Sequence, residues 1–228
     1  MNDTDWDNFN SSINKLFNDG IYEPFVMHHA AMGTNFMARH RMHGSMSGTL
    51  GFLRFLPWHR AFLIVFERAL RIINGDTFIP YWDWTKETSI PSKIIRLPNN
   101  NRHSRTVDFV FEKDIDAIKA NTDFYSFTRE LEVGPHNDGH NFVGGIMGNS
   151  MFSPRDPIFW LHHANIDRIW NEWENIPGNE NKVGDFSGFN PIEKLLDPWE
   201  SEFNIQNINN ISDLGNASYN YGPRESTS

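Results

Sequence analysis

The sequence predicts a mostly α-helical protein with long connecting loops and little β structure. Apolar residues recur at the 3.6-residue spacing of one helix face, most clearly at Phe62, Leu63, Phe66, Leu70 and Ile73. Prolines stand near the predicted helix starts, where their fixed backbone geometry suits the first turn. Segments rich in Pro, Asn and Ser separate the helices and are typical of surface loops.

The predicted elements follow in chain order. Seven segments favour helix, and they cover about residues 5–17, 24–32, 57–73, 111–119, 124–131, 136–140 and 157–174. Residues 44–51 are expected to form a Gly-rich loop, and residues 85–108 a long surface loop. Beyond Pro198 the periodicity ends, which predicts an irregular C-terminal strap or tail over 198–228. We therefore expect a single domain, 1–228, with its core over about 21–175.

Composition excludes several classes of protein. With 39% hydrophobic and 14% aromatic residues, 228 residues can bury a sizeable core. The net charge of −9 argues against nucleic acid or anionic lipid as a partner. No apolar run approaches the ~18 residues that span a bilayer, and the acidic N-terminus shows no secretory signal. Localisation and oligomeric state stay open.

The chain contains no cysteine, which removes disulfides, thiolate zinc sites and cysteine nucleophiles together. A metal site would have to use His, Asp or Glu, and there are 10 histidines.

His136 and His140 are spaced by four residues, so on a helix they share a face within reach of one metal. Two exposed or capping histidines often give the same pattern. A zinc protease would need Glu after the first histidine, where this chain has Asn137. A di-iron bundle would need a Glu-x-x-His pattern, which is absent. Ligation by histidine alone favours copper or zinc.

His59 and His163 lie on the apolar faces of their predicted helices. Either one alone would more often be a core histidine than a ligand. Four or more inward-facing imidazoles are hard to satisfy with carbonyl groups, because each buried ring nitrogen needs a partner. A shared metal centre would satisfy them together.

Two long motifs resemble the copper signatures of the tyrosinase family. Residues 55–63, with Glu67 eight positions after His59, resemble the first signature, and residues 156–170 resemble the second. Residues 80–84 and 135–145 resemble further landmarks between them. From about Phe25 to Trp173 the chain is similar to the compact prokaryotic members, which are type 3 dicopper phenol oxidases.

The resemblance implies a four-helix bundle around two copper ions, each held by three histidines, with O2 as co-substrate. Many plant and fungal members cross-link a cysteine to a first-site histidine, which this chain cannot do.

For the second copper the resemblance implies His136, His140 and His163. In the family signature the ligand is the second histidine of the pair, four residues before the aspartate, which selects His163 over His162.

For the first copper the resemblance implies His59 and two further histidines. His29 is favoured over His28 because it lies four residues after Phe25. The family spacing for the middle ligand falls on Leu50, so the chain carries an inserted loop that leaves His43 or His40. We choose His43, since Met-His-Gly resembles a family variant.

The resemblance implies an enzyme that hydroxylates monophenols to o-diphenols and oxidises o-diphenols to o-quinones. In the family an acidic residue before the first histidine of the second site, and an Asn after it, are proposed to hold a water that takes the phenol proton. Glu132 and Asn137 fit that pattern. An exposed helix-end carboxylate and a helix cap are the alternative interpretations. We expect structural roles for four further polar residues, Arg60, Glu67, Asp83 and Asp167.

Three other functions stay open. A catechol oxidase without monophenolase activity would share every ligand. A haemocyanin-like O2 carrier would use the same copper pair, although haemocyanins add protecting domains. A zinc-stabilised bundle would have no open site. A helper protein that loads copper is a partner that the sequence neither requires nor excludes.

Overall fold

A computed structural model describes most of the chain. The described residues are 1–34, 42–44, 48–98, 100–102, 112–180, 182, 196, 199, 202–203, 208, 211, 214 and 218–222. His40 and much of the predicted strap lie outside them. Within these ranges the structure consists of helices, turns and loops without a β-strand, so the mostly α prediction is confirmed. None of the described helices is long and apolar enough to cross a membrane.

Seven α-helices lie in the described ranges. They are α1 (Asp3–Asn18), α2 (Tyr22–Thr34), α3 (Thr49–Ile73), α4 (Glu112–Lys119), α5 (Phe124–Leu131), α6 (Asn137–Val143) and α7 (Ile158–Glu174). A π-helical turn, Glu132–His136, joins α5 directly to α6. Two 3₁₀ turns, Gly145–Gly148 and Ser153–Arg155, lie between α6 and α7.

Helix α1 begins with a reciprocal cap. The Asn2 side chain accepts from the Asp5 backbone N–H, and the Asp5 carboxylate accepts from the Asn2 N–H, each at 2.9 Å. This satisfies two amide groups that the first helical turn leaves without partners. The apolar face, with Phe9, Ile13 and Leu16 buried, packs against α3.

Helix α3 begins at Thr49, eight residues before the predicted start at Pro57. The prediction of a loop over 44–51 is therefore wrong for its last three residues. Pro57 lies within the helix, where a proline removes one backbone hydrogen bond. Every side chain from Leu50 to Ile64 is buried, and this packing outweighs the local preference of proline.

Four helical segments pack around the histidines: α2, α3, the continuous α5–π–α6 segment, and α7. Aromatic rings fill the space between them. Phe66 of α3 stacks on Trp160 of α7 with ring centroids 3.5 Å apart. The Tyr22 hydroxyl donates to Pro154 O at 2.7 Å and accepts from Trp160 Nε1 at 2.9 Å. These contacts fix α2 against the start of α7.

The loop between α3 and α4 is anchored to α7. Trp82 N donates to Leu161 O at 3.1 Å. Further along the loop, Arg102 donates to both carboxylate oxygens of the buried Asp156, from Nη2 at 2.5 Å and from Nε at 2.7 Å. Such a bidentate pair fixes orientation as well as position.

Candidate metal centre

Three buried histidines from three separate segments form the first cluster. His29 comes from α2, His59 from α3, and His43 from the short segment 42–44. One ring nitrogen of each lies within 4.8 Å of the others. The segment 42–44 can lie this close to α3 because residue 51 is glycine: a Cβ at Gly51 would stand 2.3 Å from His43 O.

Main-chain carbonyl groups orient two of these rings. His29 Nδ1 lies 2.9 Å from Met151 O, and His59 Nδ1 lies 2.8 Å from Phe55 O. Because a carbonyl can only accept, each Nδ1 carries the proton and each Nε2 keeps its lone pair. In the described part of the structure, Nε2 of His29, His43 and His59 has no hydrogen-bond partner.

The second cluster contains His136, His140 and His163, with His162 beside them. His140 Nε2 lies 3.1 Å from His136 Nε2 and 3.2 Å from His163 Nε2. His140 Nδ1 donates to Met147 O at 2.8 Å, which leaves its Nε2 as an acceptor. Nitrogens that share a metal at about 2.0–2.1 Å stand about 3.3 Å apart in a tetrahedral arrangement, so this spacing suits one ion.

His162 differs from the other three. Its Nδ1 accepts from Trp84 Nε1 at 3.2 Å, and its Nε2 lies 3.0 Å from His136 O. Both ring nitrogens therefore have protein partners. His163, on the next position of α7, keeps its Nε2 at the centre of the cluster.

The two clusters face each other across a few ångströms. The rings of His59 and His163 stack with centroids 4.4 Å apart, and those of His43 and His136 lie 5.6 Å apart. Two phenylalanine rings close the sides: Phe55 lies against His59 and His136, and Phe159 against His29 and His163. Six imidazoles thus share one apolar chamber.

Burial keeps five of these imidazoles neutral. Desolvation, followed by repulsion from neighbouring histidines, lowers the pKa of His29, His59, His136 and His163 well below the usual range. Burial also lowers the pKa of His140 to about 4. Neutral nitrogens with unshared lone pairs, clustered out of water, are costly unless a cation binds them. The donor set fits a soft or borderline metal that accepts imidazole.

The family model "Common central domain of tyrosinase" matches residues 19–111 and 93–176. The chain belongs to the tyrosinase family.

The relatives of this chain include tyrosinases and haemocyanins. The chain is 29% identical to a tyrosinase of Streptomyces antibioticus, covering 73% of this chain and 77% of the relative. It is 28% identical to Hemocyanin 2 of Megathura crenulata, covering 94% of this chain but 7% of that protein. The fold resembles a functional unit of octopus haemocyanin, with TM-score 0.58, 25% identity, and coverage of 76% and 51%. A polyphenol oxidase of Vitis vinifera (Grenache) shares the fold, with TM-score 0.59, 21% identity, and coverage of 82% and 71%.

As a tyrosinase-family protein, the chain is a copper oxidoreductase of the type 3 dicopper class. Its cofactor is a pair of copper ions, with O2 as co-substrate, and two facing histidine clusters are the arrangement that such a pair needs. The prediction of a copper pair, which the family resemblance implied, is confirmed at this level.

Glu132, at the start of the π turn, is buried beside the first cluster. Its two carboxylate oxygens accept from Gly44 N at 3.0 and 3.1 Å, and Oε1 lies 3.5 Å from His43 Nδ1. The interpretation as an exposed surface carboxylate is wrong, since the residue is 1% exposed. Glu132 thus joins the segment that carries His43 to the helix that carries His136.

Asn137 contacts the second cluster directly. Its Oδ1 lies 3.1 Å from His136 Nδ1, which also lies 3.3 Å from Glu132 O. Its Nδ2 donates to Val133 O at 3.4 Å. The Asn137 amide therefore fixes the ring of His136 with its proton on Nδ1, in addition to any contact with substrate.

A buried ionic network lies next to the two clusters. It joins Arg60, which follows His59 on α3, to Asp167, which lies one helical turn after His163 on α7. Arg60 Nε donates to Asp167 Oδ1 at 2.6 Å, and its guanidinium lies over the Trp170 ring. Asp167 Oδ2 accepts from the hydroxyl groups of Tyr219 and Tyr221. Arg60 also donates to Glu174 and to Ile208 O, both at 3.0 Å. The network ties the C-terminal segment to α3 and α7.

The two other polar residues that the sequence analysis grouped with them stabilise loops. Glu67 accepts from Ile79 N at 2.9 Å, and Asp83 accepts from the Thr85 hydroxyl at 2.6 Å.

The structure brings together all six histidines that the sequence pointed to. It also shows partners that sequence reasoning missed. The carbonyl groups of Met147, Met151 and Phe55 orient the rings, but a main-chain oxygen has no residue-type signal. The contact of Trp84 with His162 was missed as well; its signal was the Trp at the end of the 80–84 landmark.

Proposed function

We propose that this protein is a tyrosinase that hydroxylates monophenols to o-diphenols and oxidises o-diphenols to o-quinones with O2. The observation that carries the proposal is the pair of facing, buried histidine clusters in an apolar chamber. A buried carboxylate, Glu132, lies at the junction between the two clusters. Copper supplies the redox chemistry with O2, and the protein has to supply geometry, dryness and proton transfer.

We assign three histidines to each copper. The first copper would be held by Nε2 of His29, His43 and His59, which have no other partner among the described residues. The second would be held by His136, His140 and His163, whose Nε2 atoms converge. Four of the six, His29, His59, His136 and His140, keep the proton on Nδ1 through a hydrogen bond to a neighbouring oxygen, which restrains these rings when the metal is absent.

Glu132 and Asn137 are assigned the handling of the phenol proton. A phenol has a pKa near 10, so hydroxylation at neutral pH needs a base that removes its proton. The Glu132 carboxylate accepts hydrogen bonds and is the acidic group nearest to His43 among the described contacts. In this proposal it holds a water whose orientation Asn137 completes, and that water receives the proton. Catechol oxidation depends less on this base.

The test is Glu132→Gln in the copper-loaded enzyme. The amide keeps an acceptor oxygen for Gly44 N, so copper content should stay at about two per chain. Tyrosine hydroxylation should fall by about 10²–10⁴-fold, the usual contribution of a general base, and catechol oxidation much less. Glu130→Gln, on the exposed side of α5, is the matched control and should change neither activity. A parallel fall of both activities would instead assign Glu132 to holding the site together.

A catechol oxidase and an oxygen carrier are the competing functions. The carrier is considered because haemocyanins are among the relatives, and Hemocyanin 2 of Megathura crenulata matches over 94% of this chain. Incubation of the copper-loaded protein with tyrosine and with a catechol separates the three. A tyrosinase converts both, a catechol oxidase converts the catechol alone, and a carrier binds O2 reversibly without turnover of either.

A further inference from the structure

His162 lies among the second-site histidines, but hydrogen bonds to protein groups occupy both of its ring nitrogens. Trp84 Nε1 donates to Nδ1 at 3.2 Å, and Nε2 lies 3.0 Å from the main-chain oxygen of His136. Trp84 and His162 are both fully buried. They form a chain from the loop after α3, through α7, to the backbone of a copper ligand.

The chemistry of the end groups decides where the His162 proton is. An indole N–H can only donate, so His162 Nδ1 must be the acceptor. A carbonyl oxygen can only accept, so His162 Nε2 must carry the proton that reaches His136 O. In this tautomer no lone pair of His162 is left for a metal.

The helix that faces His162 is shaped to receive its ring. A Cβ at Gly139 would stand 2.3 Å from His162 Cε1, so only glycine fits between the ligands His136 and His140. The His162 ring lies nearly parallel to that of His136, with centroids 5.5 Å apart and planes inclined by 22°.

We propose that His162 is a positioning residue for the second copper, and that Trp84 sets its tautomer. The hydrogen bond to His136 O holds the backbone at the point where the π turn meets α6, and thereby the imidazole of His136. A π turn breaks the regular α-helical hydrogen-bond pattern, and the bond from His162 fixes its last residue to α7, in addition to the Asn137 contact that orients the ring. The inference rests on the proposed assignment of His136, His140 and His163 to one metal.

The opposite role, direct ligation by His162, makes different predictions. One nitrogen of His162 lies within 4.8 Å of the other three donors, so distance alone allows it. If His162 were a ligand, every substitution of His162 would remove a metal ligand, and a change at Trp84 would have no effect on copper binding. A positioning residue can be replaced by a group that donates the same hydrogen bond, and it depends on Trp84.

Three variants of the full chain test this: His162→Gln, His162→Leu and Trp84→Phe. The readout is copper release to a competing chelator, with His163→Ala identifying the phase that belongs to the second copper. His162→Leu should weaken second-site affinity by about 10–100-fold, the usual effect of losing an outer hydrogen bond to a metal ligand. His162→Gln should stay near the wild type, because its amide can donate to His136 O. Trp84→Phe should weaken the same phase by a smaller factor.

Two results would overturn the proposal. One is loss of the second copper in both His162 variants with Trp84→Phe unchanged, which would make His162 a ligand. The other is unchanged release in all three. If His162→Leu fails to fold, judged by melting of the copper-free protein, the Gln and Phe variants decide alone. Retention of the second copper in His163→Ala would instead overturn the ligand assignment of the proposed function.

Discussion

The two histidine clusters differ in how the chain assembles them. In the second cluster, His136 and His140 are one helical turn apart on a continuous segment, and their Nε2 atoms lie 3.1 Å apart. In the first, His29, His43 and His59 come from three segments. The hydrogen bond that orients His29 also comes from far along the chain, since Met151 O is 122 residues away.

Local helix geometry is therefore enough to bring two of the three histidines of the second cluster together. The three histidines of the first cluster meet only when the whole bundle is packed. We therefore expect the first copper to be the more sensitive of the two to substitutions outside the ligands. Gly44 is held by Glu132, 88 residues further along the chain, so a change in the π turn reaches the first site.

The largest expected effect is loss of one copper in each of two ligand variants. His59→Ala should lose the first copper and His163→Ala the second, each leaving about one per chain and no oxidation of phenol or catechol, because both activities need the pair. Metal analysis with activity assays measures this. Because the two rings stack at 4.4 Å, loss of both coppers in either variant would show that the clusters are one cooperative unit rather than two sites.

His43→Ala should empty the first site and leave the second filled, because the structure places the His43 ring 5.1 Å from that of His59. His40→Ala is the paired control and should keep two coppers. Copper content per chain is the measurement. Equal loss in both variants would mean that one of them acts through the other.

Glu132→Ala should weaken the first copper more than the second. The substitution removes the acceptor for Gly44 N and the carboxylate that faces His43 Nδ1. Loss of such an outer contact typically lowers metal affinity by about 10–100-fold. Chelator competition on wild type, Glu132→Gln and Glu132→Ala measures it. A greater loss of the second copper would contradict the expectation that the first site is the more sensitive of the two.

The smallest expected effect is a change of stability with pH through Glu174. Burial raises its pKa to about 7 despite the attraction of Arg60. The folded state then binds an extra proton between the ordinary pKa of 4.5 and about 7, so the contribution of this carboxyl to stability is present below that window and is lost as pH rises through it.

As pH rises from 5 to 8, the wild type should lose this contribution to its free energy of unfolding, whereas Glu174→Gln should not. The stability of the variant should therefore rise relative to that of the wild type, by about 2–3 kcal/mol at most. Thermal melting at both pH values measures this, with Glu180→Gln, at an exposed carboxylate, as the control. A difference between wild type and Glu174→Gln that does not change with pH would contradict the assignment.

Sequence patterns predicted the elements whose information is local. The spacing of His136 and His140, and the apolar stripe of α7, are properties of single helices and appear in the structure as expected. The start of α3 was predicted too late because Pro57 is a local signal, whereas the burial that overrides it comes from the rest of the fold.

Long-range contacts account for what the sequence could not predict. Glu132 had two local interpretations, and neither included a bond to Gly44. The sequence assigned His162 no role beside His163, and its hydrogen bonds to Trp84 and His136 O are seen only in the structure. A pattern of residues along the chain specifies which side chains face inward, but not which carbonyl or amide each of them meets.

The anchoring of Tyr219 and Tyr221 on Asp167 has a consequence for the order of events during synthesis. These hydroxyl groups follow Asp167 by 52 and 54 residues, so they leave the ribosome after all six clustered histidines. Until then Asp167, one helical turn beyond His163, lacks two of its hydrogen bonds, and Arg60 lacks the carbonyl of Ile208. The helices that carry His59 and His163 therefore gain the last of these hydrogen bonds only after Tyr221 has been translated, well after the histidines themselves.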